Sequence, residues 1–266
     1  MAELRFTILG CGSSGGVPRL GGLWGDCDPT NAKNRRRRCS MLVERATETG
    51  TTTVLIDTSP DMREQLLDAE IGNLDAVIFT HGHADHVHGI DDLRQIVFNR
   101  KERLDVWADG PTQERLYSSF GYAFTQPEGS PYPPILDMHT IDEADVTIDG
   151  AGGAIAFMPF KVDHGAIDAL GFRIKTLAYL PDVSKIYDDA WPALEGLDIW
   201  ILDALRRTPH PTHAHLDQAL EWIEKLAPKH AVLTNMHIDM DYQTVLDETP
   251  AHVEPAFDGM RLTLAD

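Results

Sequence analysis

The stretch Phe79 to Gly89, FTHGHADHVHG, places four histidines and one aspartate within eight positions, directly behind the apolar run AVIF. Imidazoles crowded in this way disfavour one another's protonation, and histidine, aspartate and glycine are all poor helix formers. A cation resolves both problems, because neutral imidazole and carboxylate are ligands that suit zinc, manganese and iron. The pattern H-x-H-x-D-H also divides into two sets. His81 and His83 can point the same way from an extended loop, whereas Asp85 and His86 are offset toward a second position. Ions in hydrolytic two-metal sites lie about 3.5–4 Å apart, so this one stretch carries donors for a pair. A solvated histidine-rich turn is the plain alternative, and the specificity of the pattern behind a buried run argues against it.

Such donors need elements to aim them. Short β-rich runs LRFTIL, TTTVLID, DAVIFT and LDVWAD alternate with helix-like SPDMREQLLDA, DDLRQIVFN and PTQERLYSSFGYAF. TQPEGSPYPPI, residues 125–135, is a Pro-rich break that reads as a loop or crossover. After it AIAFMPFKV, GFRIKT, LAYLPD, DIWILD and HAVLTNM read as strands, HAHLDQALEWIEKLA and DYQTVLDET as helices, and MRLTLA closes the chain. This content predicts one α/β domain over residues 1–266 with two similar halves, roughly 1–124 and 136–266, its two sheets packed face to face between outer helices. His81 then opens the loop at a strand's carboxyl end, where α/β proteins gather functional groups. His164 and Asp182 leave strand-like runs in the same way. In the late helix, Leu216, Leu220, Ile223 and Ala227 recur at helical spacing, so its start falls near Thr212 to His215. A histidine in that first turn has its proton affinity lowered by the helix dipole.

Composition narrows the function. With 42% hydrophobic and 24% charged residues the chain reads as globular, and a net charge of -19 argues against a long nucleic acid as partner. No apolar run approaches a membrane span and the N-terminus shows no charged-then-apolar leader, so the expected compartment is the cytoplasm, with no membrane contact. Cys11, Cys27 and Cys39 are too few and badly spaced for a disulfide framework. Arg35, Arg36, Arg37 and Arg38 read first as a solvated loop anchored by carboxylates, with a phosphate-binding role for one or two of them as the alternative. Gly10, Gly12, Gly15 and Gly16 do not have dinucleotide-binding spacing, and a close backbone approach to the metal site is expected there instead.

THGHADH resembles the metal-binding signature of the metallo-β-lactamase superfamily, and LIDTSPD, VDHG, YLPD and LTNMH resemble its remaining motifs in order, from LGCGSSGGVPR to FDGM. Within that superfamily the chain is similar to the phosphoribosyl cyclic phosphodiesterases of phosphonate breakdown, relatives of ribonuclease Z. The resemblance implies an αββα sandwich and two divalent ions, zinc or manganese. One ion is implied on His81, His83 and His164, the other on Asp85, His86 and His237, with Asp182 bridging them. His237 stands in for the histidine that many relatives carry where this chain has Asn235, since residues two apart in a strand share a face. Asp57 is expected to orient a ligand histidine, or else to cap the helix beginning near Ser59.

The relatives often hold a structural zinc through closely spaced cysteines, whereas only Cys27 remains here. No such zinc is expected, with Trp24 and Asp26 filling the space. The resemblance places the general acid or base at His215, with His210 and His213 as competitors, and Asp85 in the catalytic set. It implies a phosphoric diester hydrolase that lowers the pKa of a water shared by two cations. The implied partner is a small anionic cyclic phosphodiester, with a nucleoside monophosphate as a product mimic; a homodimer stays open. Arg19 or the arginine run would hold a second polar part of that anion, and the Pro-rich loop would help enclose it. A lactone or thioester hydrolase, a tRNA 3′-processing endonuclease and a non-hydrolytic di-iron protein are the rival readings. The acidic charge and the lack of an inserted basic arm weigh against the tRNA enzyme.

Overall fold

The apolar runs settle into two mixed β-sheets, one in each of two units. A computed structural model describes residues 2–142 and 144–265. One unit comprises Met1–Leu9, Ser40–Ile155 and Arg261–Asp266, and the other Gly10–Cys39 and Ala156–Met260. The units are therefore interleaved along the chain rather than consecutive.

In the first unit lie β1 (Glu3–Gly10), β2 (Ser40–Thr47), β3 (Gly50–Ile56), β4 (Ala76–Ile78), β5 (Leu104–Ala108), β6 (Leu136–Thr140) and a short β7 (Val146–Ile148). Its seven-stranded sheet runs in the order Met260–Ala265, β1, β2, β3, β4, β5, β6. Here β2 and β3 are antiparallel, whereas β3, β4, β5 and β6 follow in parallel. The strand β2 is absent from the β-rich runs above; its register, Leu42 opposite Leu55, places two buried side chains together. Helices α1 (Met62–Asp68), α2 (Ala84–Val87), α3 (Leu93–Arg100) and α4 (Gly110–Phe124) belong to this unit. Asp109 caps α4 by accepting from Thr112 N–H at 3.0 Å. The Pro-rich loop contributes Pro127, Ser130, Tyr132 and Pro133 to a cavity of about 300 Å³ with Arg94, Phe98 and Tyr122.

The second unit repeats the plan. Strands β8 (Ile155–His164), β9 (Ile167–Ile174), β10 (Leu177–Leu180), β11 (Lys185–Ile186), β12 (Ile199–Asp203), β13 (His230–Thr234) and β14 (Val253–Pro255) follow the path β11-β8-β9-β10-β12-β13-β14. The pairs from β11 to β10 are antiparallel, and β10, β12, β13 and β14 are parallel. Every residue of β12 is buried, as expected of a central parallel strand. Helix α5 (Leu216–Leu226) buries Leu216, Ala219 and Ile223, the stripe its period requires, and α6 (Tyr242–Glu248) precedes β14.

Parallel strands deliver their carboxyl ends to one edge of a sheet. Ile56 pairs with Ile78, so Asp57 and the Phe79–His81 segment leave side by side. Leu180 pairs with Leu202, and Asp203 with Thr234, so Asp182, Asp203 and Asn235 leave together in the second unit. Asp57 and Asn235 adopt the left-handed conformation, with φ of 63° and 58°. Asp and Asn tolerate it better than other non-glycine residues.

Two segments differ from expectation in an instructive way. Asp85 and His86, read above as part of the loop that His81 opens, lie in α2, and the turn after it is tied down by Gly89 N–H donating to Thr58 O at 2.9 Å. A Cβ on Gly89 would sit 2.1 Å from the Ser59 carbonyl oxygen, so only glycine allows this approach. The arginine run is not uniformly solvated. Arg35 is exposed, but Arg36 is buried, with its guanidinium 3.8 Å from Cys27 Sγ and 3.4 Å from Asn34 Oδ1. Asn34 in turn donates to Asp241 at 2.6 Å. Arg36 and Asn34 thus accompany Cys27 in the interior; Asp26 is exposed and Trp24 half-buried. The glycine-rich turn approaches this run: a Cβ on Gly12 would meet Arg36 Cβ at 2.9 Å. No helix among the described residues is long and apolar enough to cross a membrane.

Candidate metal centre

In the first unit the donors hang on one buried carboxylate. Asp57 accepts from Thr80 N–H and Thr80 Oγ1–H, both at 2.8 Å, and faces His86 Nδ1 at 2.7 Å. Burial raises its pKa, while His86 and the Thr80 bonds pull it back toward ionisation. The chain of donors fixes the tautomers. His86 gives Nδ1–H to Asp57 and so carries its lone pair on Nε2. Thr80 has already given its hydroxyl hydrogen to Asp57, so its oxygen accepts from His81 Nδ1 at 2.9 Å. His81 therefore also presents a lone pair on Nε2, which lies 3.1 Å from His83 Nδ1. Two nitrogens on one tetrahedral ion with bonds of about 2.0–2.1 Å are separated by about 3.3 Å, close to that spacing. His83 is exposed at the N-cap of α2, and Asp85 Oδ2 lies 3.5 Å from His86 Nε2.

The second unit holds His164, Asp182 and His213 with one ligand atom of each within 4.8 Å of the others. His164 Nδ1 meets the Thr212 carbonyl at 2.6 Å; a carbonyl only accepts, so Nδ1 carries the hydrogen and Nε2 the lone pair. That Nε2 is 3.7 Å from Asp182 Oδ1. His213 Nδ1 faces Asp203 Oδ2 at 2.9 Å and Asp182 Oδ1 at 3.6 Å. Asn235 Nδ2 donates to Asp182 Oδ1 at 3.2 Å and to the Pro181 carbonyl at 2.9 Å. Asp203 is fully buried, its pKa raised by burial and by Asp182 against the opposing pull of His213. Its Oδ1 has no hydrogen-bond partner among the described residues.

The other expected residues fall elsewhere. His215 is the N-cap residue of α5, without a side-chain capping bond, and stands outside the His164–Asp182–His213 group. His237 faces Asp239 Oδ1 through Nδ1 at 3.1 Å and Arg19 Nη2 through Nε2. The two-residue rule that would aim it beside Asn235 holds only in extended backbone, and the left-handed Asn235 interrupts that geometry. Sequence reasoning named His213 only as a competitor and passed over Asp203. The available signal was DIWILD, a third apolar strand ending in aspartate, as VLID and LAYLPD do.

Imidazoles held as neutral ligands by buried acceptors, beside carboxylates, fit divalent metal ions. Residues 52–238 match the family "Beta-lactamase superfamily domain". With that match and its likeness to a solved PhnP-family structure, the chain belongs to the metallo-β-lactamase superfamily, in its PhnP branch. It is similar, at 36% identity and a TM-score of 0.87 over 99% of this chain and 98% of the other, to a crystal structure of a diphosphatase from the PhnP family. Zn(2+)-bound PqqB from Methylobacterium extorquens shares the fold at 17% identity and a TM-score of 0.74, over 97% of this chain and 99% of that one. An octanoyltransferase of Porphyromonas gingivalis is 32% identical over 97% of this chain; the chain spans about half (51%) of that relative's length.

Proposed function

We propose that His81, His83, Asp85, His86, His164 and Asp182 serve one pair of divalent ions, zinc or manganese, and that the protein hydrolyses small anionic phosphodiesters, cyclic ones in particular. The observation that carries this reading is the set of three histidines, His81, His86 and His164, each tied through Nδ1 so that Nε2 is the ligand nitrogen. The full-length likeness to a diphosphatase supports phosphorus as the atom attacked. Such ions, when bound, supply Lewis acidity toward phosphoryl oxygens and lower the pKa of water. Asp57 keeps His86, and through Thr80 also His81, in the ligand tautomer. Asp203 accepts from His213 Nδ1, which orients the ring and leaves Nε2 to give a proton to the departing alkoxide. His213 takes this acid role in preference to His215, because only His213 has a buried carboxylate behind it.

His213→Ala is accordingly expected to lower turnover on alkyl phosphodiesters about 10²–10⁴-fold, with a smaller loss on nitrophenyl esters, whose leaving group needs no proton. His215→Ala is expected to leave that contrast intact. Steady-state kinetics on both ester types checks this, and equal losses on the two would assign His213 to binding. The function itself is tested by a substrate panel on protein loaded separately with zinc and manganese. Cyclic ribose phosphates and 2′,3′-cyclic nucleotides should be cleaved faster than lactones, and a nucleoside monophosphate should inhibit as product. The likeness to an octanoyltransferase favours one rival, an acyl-thioester hydrolase. Ready cleavage of an octanoyl thioester with every phosphodiester left intact would establish that rival instead.

A further inference from the structure

We infer that Arg19 recognises a second oxyanion of the substrate, one that does not react, and that His237 positions its guanidinium for that task; this rests on the phosphodiesterase reading above. Arg19 is half-buried, yet among the described residues its side chain has one polar partner, the ring of His237, and no carboxylate. In a chain with 42 acidic residues and a net charge of -19 an uncompensated arginine is conspicuous. The neighbouring arginines of the same unit are engaged. Arg36 is buried against Cys27 and Asn34, Arg37 pairs with Asp258 at 3.1 Å, and Arg207 pairs with Glu248 at 2.7 Å.

The tautomer of His237 explains the arrangement. Its Nδ1–H is directed at Asp239 Oδ1, which leaves the Nε2 lone pair to accept from Arg19. Asp239 is itself held by Arg207 N–H at 3.2 Å. Asp239 and His237 therefore form a rigid support that uses one N–H of the guanidinium fork and leaves the others for a ligand. Gly15 makes room for the arginine, since a Cβ there would lie 3.2 Å from Arg19 Nε. The turn at 13–16, which precedes Arg19 in the chain, is anchored beside the donor group. Ser13 N–H bonds to Met236 O at 3.2 Å and Met236 N–H to Cys11 O at 2.8 Å. Met236 lies between His237 and Asn235, the residue that grips Asp182. In that preceding turn Ser13 Oγ is buried and, among the described residues, has no hydrogen-bond partner.

Arg19→Gln, Arg19→Lys, His237→Phe and, as a control, the exposed Arg63→Gln test this on metal-loaded protein. The first readout is calorimetric binding of inorganic pyrophosphate against orthophosphate. The second is the ratio of kcat/KM for a diphosphate ester over bis(4-nitrophenyl) phosphate, which has no second anion. Arg19→Gln should cut both the pyrophosphate preference and the kinetic ratio about 10–100-fold, chiefly through KM, with Arg19→Lys intermediate and Arg63→Gln unchanged. His237→Phe should lower both ratios while keeping the metal content of the parent protein. Unchanged ratios in Arg19→Gln overturn the assignment to Arg19, and loss of metal in His237→Phe overturns the positioning role by making His237 a ligand. If the parent protein cleaves neither ester, the phosphodiesterase reading fails, while the pyrophosphate comparison still decides the role of Arg19.

Discussion

Asp57→Asn is expected to weaken divalent-metal binding about 10–100-fold, the usual cost of losing a carboxylate that orients a ligand histidine, and to destabilise the fold by about 1–3 kcal/mol. Asp57 is fully buried and serves three donors, Thr80 N–H, Thr80 Oγ1–H and His86 Nδ1–H. An amide of the same shape offers one acceptor oxygen and turns an NH₂ toward groups that are already donors. The left-handed backbone at position 57 suits Asn as well as Asp, so the loss reports hydrogen bonding rather than strain. Competition with a chromophoric chelator measures the affinity, and urea unfolding of the apo protein measures the stability. Unaltered affinity would show that the Nδ1 tethers do not set the ligand tautomers.

His83→Ala should act in the opposite proportion. His83 is exposed, and although it is the N-cap residue of α2 it makes no side-chain capping bond there. Its removal should cost the fold little, yet take away a nitrogen that faces His81 Nε2 at 3.1 Å. The expected outcome is loss of bound metal and a fall in turnover of more than about 100-fold, exceeding the effect of an orienting residue, with an unchanged unfolding midpoint of the apo protein. A variant that keeps its metal and activity would mean that His83 is a surface histidine only.

The sequence made some parts of this molecule legible and hid others for physical reasons. Apolar runs such as IWIL and AVIF fix strands by themselves, and a donor after such a run lies at a sheet edge without any knowledge of the tertiary fold. The histidine cluster is local in sequence, so its membership could be read directly. His213 and Asp203 are ten residues apart and meet only because β12 ends in Asp203 and the following chain doubles back, with Leu205 N–H bonded to Ala214 O at 2.9 Å. His237 shows the limit of periodicity, since one left-handed residue at Asn235 re-aims everything after it. Arg36 likewise lies inside a run that composition alone assigns to solvent. The β2 strand escaped because its second half, ERAT, carries charge on half-buried positions.

Metal content of the protein bears most directly on the central claim that these histidines and carboxylates hold the catalytic ions. After exposure to zinc or manganese and exhaustive dialysis, elemental analysis should give close to two ions per chain in the parent protein, without a third bound through Cys27. The number should fall in both His83→Ala and His164→Ala, one substitution in each unit. A parent protein that retains no divalent ion, or the same number of ions in all three proteins, would contradict the account.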